Sequence, residues 1–296
     1  MKLLGFTTLC FIWGLTFLGI KLSLRGFTPL VGAGIRVCIA TFLVVAIIGV
    51  RRDRYRVSRR ELQYLLACAL LVFGLNYWLV YWSTQHLEAG IAAIFFATYS
   101  LSAVFWSSFM FRHEPFAWRG LLGILIGIGG VLLVFYDQVT ATRFNLATVL
   151  ACAGIVIGAN GAALASVITK VRLARLSPLT LTFYQSALGA GLLLSLATCF
   201  ERPFAIRLDP VAIAAILALA TVGSTLAFVL YFKLLKVMSP ITLGLLTFFT
   251  PVVAVLADYL FMGTLASPRA IVGMLVIFGG VRLTRLATSA GPEVGR

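Results

Sequence analysis

Acidic side chains are scarce: the 296 residues hold nine Asp and Glu against 24 Lys and Arg. Glu88, Glu114, Asp137 and Asp258 fall at or near the ends of hydrophobic runs, so no carboxylate sits deep in an apolar stretch as the proton carrier of a proton-coupled pump does. Histidine is rarer still, with His86 and His113 standing singly. No HExxH, GxSxG or P-loop pattern occurs, which excludes the common metallohydrolase, serine-hydrolase and ATP-driven chemistries and leaves no cofactor to expect. The five cysteines (Cys10, Cys38, Cys68, Cys152, Cys199) are odd in number and scattered through apolar stretches. They indicate neither a disulfide framework nor a metal cluster, and are expected to be packing residues.

Charge is scarce altogether, at 11% of residues against 61% hydrophobic, and the mean hydropathy is +1.05. A soluble domain needs a wetter surface than this. A bilayer-spanning helix takes about 20 mostly apolar residues, and the chain divides into ten such runs: 3–22, 29–50, 62–83, 90–111, 119–136, 145–168, 178–199, 210–232, 240–261 and 268–286. The connectors leave no room for a soluble domain. A β-barrel would need short segments alternating between lipid and lumen faces, whereas Gly120 to Phe135 is apolar all round. The first run is too long for a signal-peptide core and lacks a small-residue cleavage pattern, so it is expected to be retained as a helix. The expectation is an all-α integral membrane protein of ten transmembrane helices.

The net charge of +15 does not point to nucleic acid, because the basic residues gather at the ends of the runs rather than on one folded face. With the N-terminus inside, 17 Lys and Arg fall on the cytoplasmic side and 6 outside, and Arg36, within the second run, completes the 24. That bias predicts an even number of spans in a bacterial inner membrane, with both termini cytoplasmic.

The two halves repeat. An offset of 149 residues brings Pro29 onto Pro178, Gly74 onto Gly223 and Thr98 onto Thr247. An offset of 150 then places Gly123, Gly129 and Gly130 on Gly273, Gly279 and Gly280. The units are expected at 1–140 and 141–288, followed by a cytoplasmic tail at 289–296. Each holds five runs, and because five is odd, two copies in series cross the membrane in opposite senses, an inverted repeat. Carriers of this kind hold a small-molecule substrate near the midplane between the halves and expose it to each side in turn.

The Trp13-Gly14 pair, Pro29 followed seven residues later by Arg36, Ser177-Pro178 with Gln185, the Leu245 to Pro251 segment and the Gly-rich fifth and tenth runs carry a resemblance. The chain resembles the EamA-like branch of the drug/metabolite transporter superfamily along nearly its whole length. It departs from the family pattern where Ser102 stands opposite Pro251 and where Gly263 stands opposite Glu114. The resemblance implies an exporter of small metabolites, amino acids among them, with a cavity lined by helices one, three, four, six, eight and nine.

On those helices the candidate lining residues are chemically alike. Phe95, Tyr99, Ser102 and Trp106 fall on one face of the fourth at spacings of four, three and four. Asn76, Tyr77, Trp78 and Tyr81 form a polar-aromatic turn on the third; an amide is costly to leave unpaired in hydrocarbon, so Asn76 either bonds another helix or faces a wet cavity. Trp13, Thr16 and Phe17 on the first helix, Asn160 on the sixth, Ser224, Phe228 and Tyr231 on the eighth, and Thr247 with Thr250 on the ninth complete the set. Pro251 is a candidate hinge, since it frees a carbonyl one turn back. Gly123 and Gly127 form a small-xxx-small face for close packing, within the protein or across a dimer.

Arg36 is expected to snorkel or to bond backbone carbonyls. Lys21 and Asp258 lie at similar depth near the outer ends of the first and ninth helices, where an ion pair would act as a gate. A cavity of rings and uncharged polar groups suits a neutral or zwitterionic solute, hydrophobic and aromatic amino acids above all. The alternatives are an exporter of lipophilic drugs or cations, and a passive pore.

Overall fold

The computed structural model describes residues 2–51, 56–110, 118–143, 145–201, 206–262 and 267–289. Every one of the ten hydrophobic runs is helical in its described residues, and several are interrupted. In chain order the elements are α1 (Lys2–Gly14), α2 (Thr16–Ser23), α3 (Pro29–Arg51), α4 (Arg59–Ala69), the π-helical segment π1 (Leu70–Tyr77), α5 (Trp78–Ser83), α6 (Ala89–Phe96) and α7 (Thr98–Met110). The chain continues through α8 (Trp118–Val134), α9 (Tyr136–Ala141), α10 (Leu146–Arg172), α11 (Pro178–Phe200), α12 (Pro210–Ala218), π2 (Leu219–Leu226), α13 (Ala227–Val237), α14 (Pro240–Gly244), α15 (Leu246–Met262) and α16 (Pro268–Ser289). Among the described residues seven stretches are long and apolar enough to cross a membrane, and Trp118–Val134 and Pro240–Val253 are shorter apolar helices.

The helix starts are written locally. Ser177, Asp209 and Ser239 each accept a hydrogen bond from the first-turn backbone, and each is followed by proline at the position where its missing N–H costs nothing. Ser58 and Glu61 close a reciprocal capping box at α4.

The two units share irregularities as well as sequence. The π1 and π2 segments lie 149 residues apart at both ends, and π-turns are rare enough that two in register are a strong sign of a repeated structure. Thr98 Oγ1 donates to Phe95 O (2.6 Å) and Thr247 Oγ1 to Gly244 O (2.9 Å), each three residues upstream and each beside a break, at Ala97 and at Leu245. Packing is reciprocal too: α1 lies on α13 and α15 as α10 lies on α5 and α7, while α3 meets α11 and α8 meets α16.

The α8–α16 seam is the closest. A Cβ on Gly130 would stand 2.7 Å from Gly273 O, and one on Gly280 would stand 2.5 Å from Gly123 O, so the two backbones are in contact. Gly127 meets the Phe248 ring at 3.1 Å on the same measure. The small-residue face therefore packs within the chain.

Contacts between connectors tie the ends of the bundle. At one end Phe27 and Ile206 form an isolated antiparallel bridge, and Arg207 N donates to Gly26 O (2.7 Å). At the other, Arg175 pairs with Glu61 (2.5 Å), and Lys170 Nζ caps α13 on the carbonyls of Leu235 (2.7 Å) and Lys236 (2.9 Å). The hydrogen bond to Glu61 and its charge hold the Arg175 guanidinium above its ordinary value.

Candidate functional site

Helices from both halves of the chain enclose a cavity of about 170 Å³. Its wall takes residues from α1, α2, π1, α5, α6, α7, α10, α13, α14 and α15, with one residue each from α3 and α11, namely Arg36 and Gln185. Trp13, Thr16, Asn76, Tyr77, Tyr81, Tyr99, Phe228, Tyr231, Thr247 and Thr250, all singled out from the sequence, meet around it.

Eight aromatic residues among those described border the cavity: Trp13, Tyr77, Tyr81, Phe96, Tyr99, Phe228, Tyr231 and Phe232. Trp13 lies 5.2 Å from Tyr231 and 6.5 Å edge-on from Phe228, centroid to centroid. Tyr77 stacks on Tyr81 at 6.3 Å, and Phe96 on Tyr99 at 6.1 Å. These distances lie in the range where ring pairs attract beyond simple area burial. Trp13 and Tyr231 belong to opposite ends of the chain, so the ring wall depends on the tertiary fold.

Hydroxyls cross-link the wall. Tyr231 donates to Ser166 Oγ (2.6 Å), and the Tyr99 and Tyr231 hydroxyls share a hydrogen bond (3.2 Å), so α7, α10 and α13 are joined at one point. Asn76 is 7% exposed, and among the described residues its side-chain oxygen has no hydrogen-bond partner. Gly158 makes room for it: a Cβ there would come within 3.0 Å of that oxygen.

Six residues expected in the lining are turned elsewhere: Phe95, Ser102, Trp106, Asn160, Ser224 and Trp78, the last stacking on Phe200 at 5.5 Å. The break at Ala97 shifts the register of the fourth run, where Ala97 N bonds both Ala93 O and Ile94 O and Ser100 N bonds Ala97 O. Phe96 reaches the cavity in place of Phe95, which packs against a neighbouring core cluster. Ser102 and Asn160 satisfy each other, with Asn160 Nδ2 donating to Ser102 Oγ (3.1 Å) and Trp106 Nε1 donating to Asn160 Oδ1 (3.3 Å). Ser224 accepts from Arg36 Nε (2.8 Å). The side chains of Phe17 and Asp258 lie outside the described residues, Lys21 is exposed, and Pro251 is buried within α15, six residues beyond the break at Leu245.

Of the two courses expected of Arg36, it takes the second, bonding a backbone carbonyl rather than snorkelling. It is 2% exposed, donates from Nη2 to Gly223 O (3.2 Å), and sets its guanidinium carbon 5.3 Å from the centre of the Tyr77 ring. The π2 segment prepares this place, since Ala227 N bonds Val222 O and Ser224 O rather than the Gly223 carbonyl that a regular α-turn would use. The cavity wall therefore contains a fixed positive charge, contrary to the expectation of an essentially uncharged lining.

Ser166, Thr169, Gln185 and Phe232 were not anticipated. Gln185 was findable, because it stands 149 residues after Arg36. Thr169 and Phe232 also border a second hollow of about 230 Å³ that reaches Lys170 and Lys236 at the end of the bundle.

Residues 1–136 and 149–286 match the EamA-like transporter family. The chain is 20% identical over 280 residues to the uncharacterized transporter YoaV of Bacillus subtilis, covering 94% of each. It is 26% identical to protein PecM of Dickeya dadantii, over 91% of this chain and 87% of that one. A probable terminal-alkyne amino-acid exporter of Streptantibioticus cattleyicolor is 26% identical over 93% of this chain and 90% of its own length. A solved crystal structure superposes with a TM-score of 0.81 at 18% identity, covering 97% of this chain and 98% of that one, which establishes a shared fold.

Proposed function

Because the chain belongs to the EamA-like transporter family, a multi-pass membrane family, we propose that it is an alternating-access exporter of neutral or aromatic amino acids or similar small amphipathic metabolites. In this reading ten spans form two inverted five-helix units, residues 1–140 and 141–288, in a bacterial cytoplasmic membrane with both termini inside. The observation that carries it is the cavity itself: one hollow, walled by rings and hydroxyls from both units, at the seam where an inverted-repeat carrier holds its solute.

Three features support the details. Matching π-segments and matching helix breaks supply each unit with irregular turns beside the cavity, where rocking needs pliant backbone. The second hollow, sharing Thr169 and Phe232 with the first, supplies a route from the cavity toward the end of the bundle assigned to the cytoplasm. The similarity to a named amino-acid exporter favours that substrate class. An exporter of lipophilic cations is the second reading, and the buried Arg36 charge in the wall opposes it.

The test is counterflow in proteoliposomes over a panel of amino acids and hydrophobic amines. A carrier gives saturable counterflow and trans-stimulation; flux without either would make the protein a pore. Trp13→Ala, Tyr77→Ala and Tyr99→Ala should each raise the half-saturation concentration roughly two- to tenfold, the worth of a lost ring contact, while the protein stays monodisperse in detergent. Unaltered transport in all three would place the solute elsewhere.

A further inference from the structure

Arg36 stands seven residues into α3, about 10 Å from its end at 1.5 Å per residue, and is too deep to be a surface cation. Its polar contacts are neutral: the Ser224 hydroxyl, the Gly223 carbonyl and the face of Tyr77. Among the described residues no carboxylate pairs with it. Neutral dipoles solvate a guanidinium without cancelling its charge, so an anion entering the cavity gains an interaction that the resting protein leaves unused.

The equivalent position of the second half does without a charge. At the equivalent position of the second unit stands Gln185, which also borders the cavity and bonds across to Thr169 Oγ1 (3.5 Å). A neutral amide thus serves the α11 side of the seam where α3 carries a cation, and the two cavity walls are made electrically unequal.

We propose that Arg36 recognises a carboxylate on the transported solute. The inference rests on the carrier reading above and narrows it to monocarboxylates with an apolar or aromatic body, zwitterionic amino acids included. A guanidinium presents paired donors that match the two oxygens of a carboxylate. The rings of Trp13, Tyr77, Phe228 and Tyr231 receive the body, and their faces accept an ammonium group where the solute has one. A purely cationic solute meets a like charge.

The experiment varies the headgroup on one body. Phenylalanine, 3-phenylpropionate, phenylalanine amide, phenylalanine methyl ester, phenethylamine and phenyl phosphate are compared by thermal shift of the purified chain and by counterflow competition. In the wild type the two carboxylates should act about tenfold or more below the concentrations that the amide, ester and amine require. Arg36→Gln should shrink this gap to within about threefold and Arg36→Lys should keep part of it, a change in selectivity that loss of a structural tie would not produce. Equal potency of carboxylate and blocked compounds in the wild type overturns the inference without any variant, which keeps it decidable if Arg36→Gln does not fold. So does an undiminished gap in Arg36→Gln, or phenyl phosphate outcompeting 3-phenylpropionate. Saturable counterflow of phenethylamine alone sinks the inference and leaves the carrier reading standing, whereas flux of the panel without saturable counterflow sinks both.

Discussion

Glu201 follows the last turn of α11, and its two carboxylate oxygens accept from Leu30 N (2.8 Å) and Val31 N (3.1 Å) at the first turn of α3. One acidic residue from the second unit thereby caps a helix of the first, where the unsatisfied N–H groups and the positive end of the helix dipole both favour an anion. Caps of this kind contribute about 1–2 kcal/mol. Glu201→Ala should lower the thermal midpoint in detergent by a few degrees, and Glu201→Gln, which keeps an acceptor oxygen but not the charge, by less. A midpoint unchanged in Glu201→Ala would mean that water caps α3 equally well. The same logic explains which single residues were legible. Asn76 stood out because an amide in an apolar run demands a partner or water, and it does border the cavity. Ser102 and Asn160 raised the same demand and met it in each other, since polarity announces that a partner is needed and not which one.

Among elements, the α8–α16 seam rests on the absence of side chains. A methyl group on Gly130 would stand 2.7 Å from both Gly273 O and Ile277 N, backbone atoms that move only if the helices part. Gly129, its neighbour, has open space around the same position. Gly130→Ala is therefore expected to cost about 1–3 kcal/mol, in the manner of an overpacked core, and Gly129→Ala to stay within about 0.5 kcal/mol. Chemical denaturation in a fixed detergent compares the two, and equal stabilities would show that the seam tolerates a wider spacing. The glycine pattern was legible because Gly is a strong, collinear marker in both halves. The helix breaks were not: hydropathy counts apolar residues and is blind to hydrogen-bond register, so the turn at Ala97 that exchanges Phe95 for Phe96 left no trace in it. The π2 turn escaped for the same reason, and with it the pocket that holds Arg36.

At the scale of the whole molecule, the pairing of helices carries more information than any one of them. Several of the larger cross-unit contacts have a twin with the units exchanged, α1 on α15 answering α10 on α7 and π2 on α3 answering π1 on α11, which is the pattern expected of a two-fold relation between like-folded halves. That the chain is an all-helical bundle of long apolar helices was legible from hydropathy, because a bilayer imposes such runs on any chain that crosses it as helices. Orientation then becomes a consequence of connectors that touch. Glu61 and Arg175 join the first turn of α4 to the connector before α11, while Gly26 and Arg207 join the connector before α3 to the one before α12, so each pair must share a side of the membrane. Single cysteines placed at positions 57 and 174 in a cysteine-free background should react from the cytoplasmic face with a membrane-impermeant maleimide, and those at 25 and 207 from the opposite face, in intact cells against inverted vesicles. Labelling of 57 and 174 from different faces is incompatible with the Glu61–Arg175 contact. It would also give the two units the same sense across the membrane, which is incompatible with an inverted repeat.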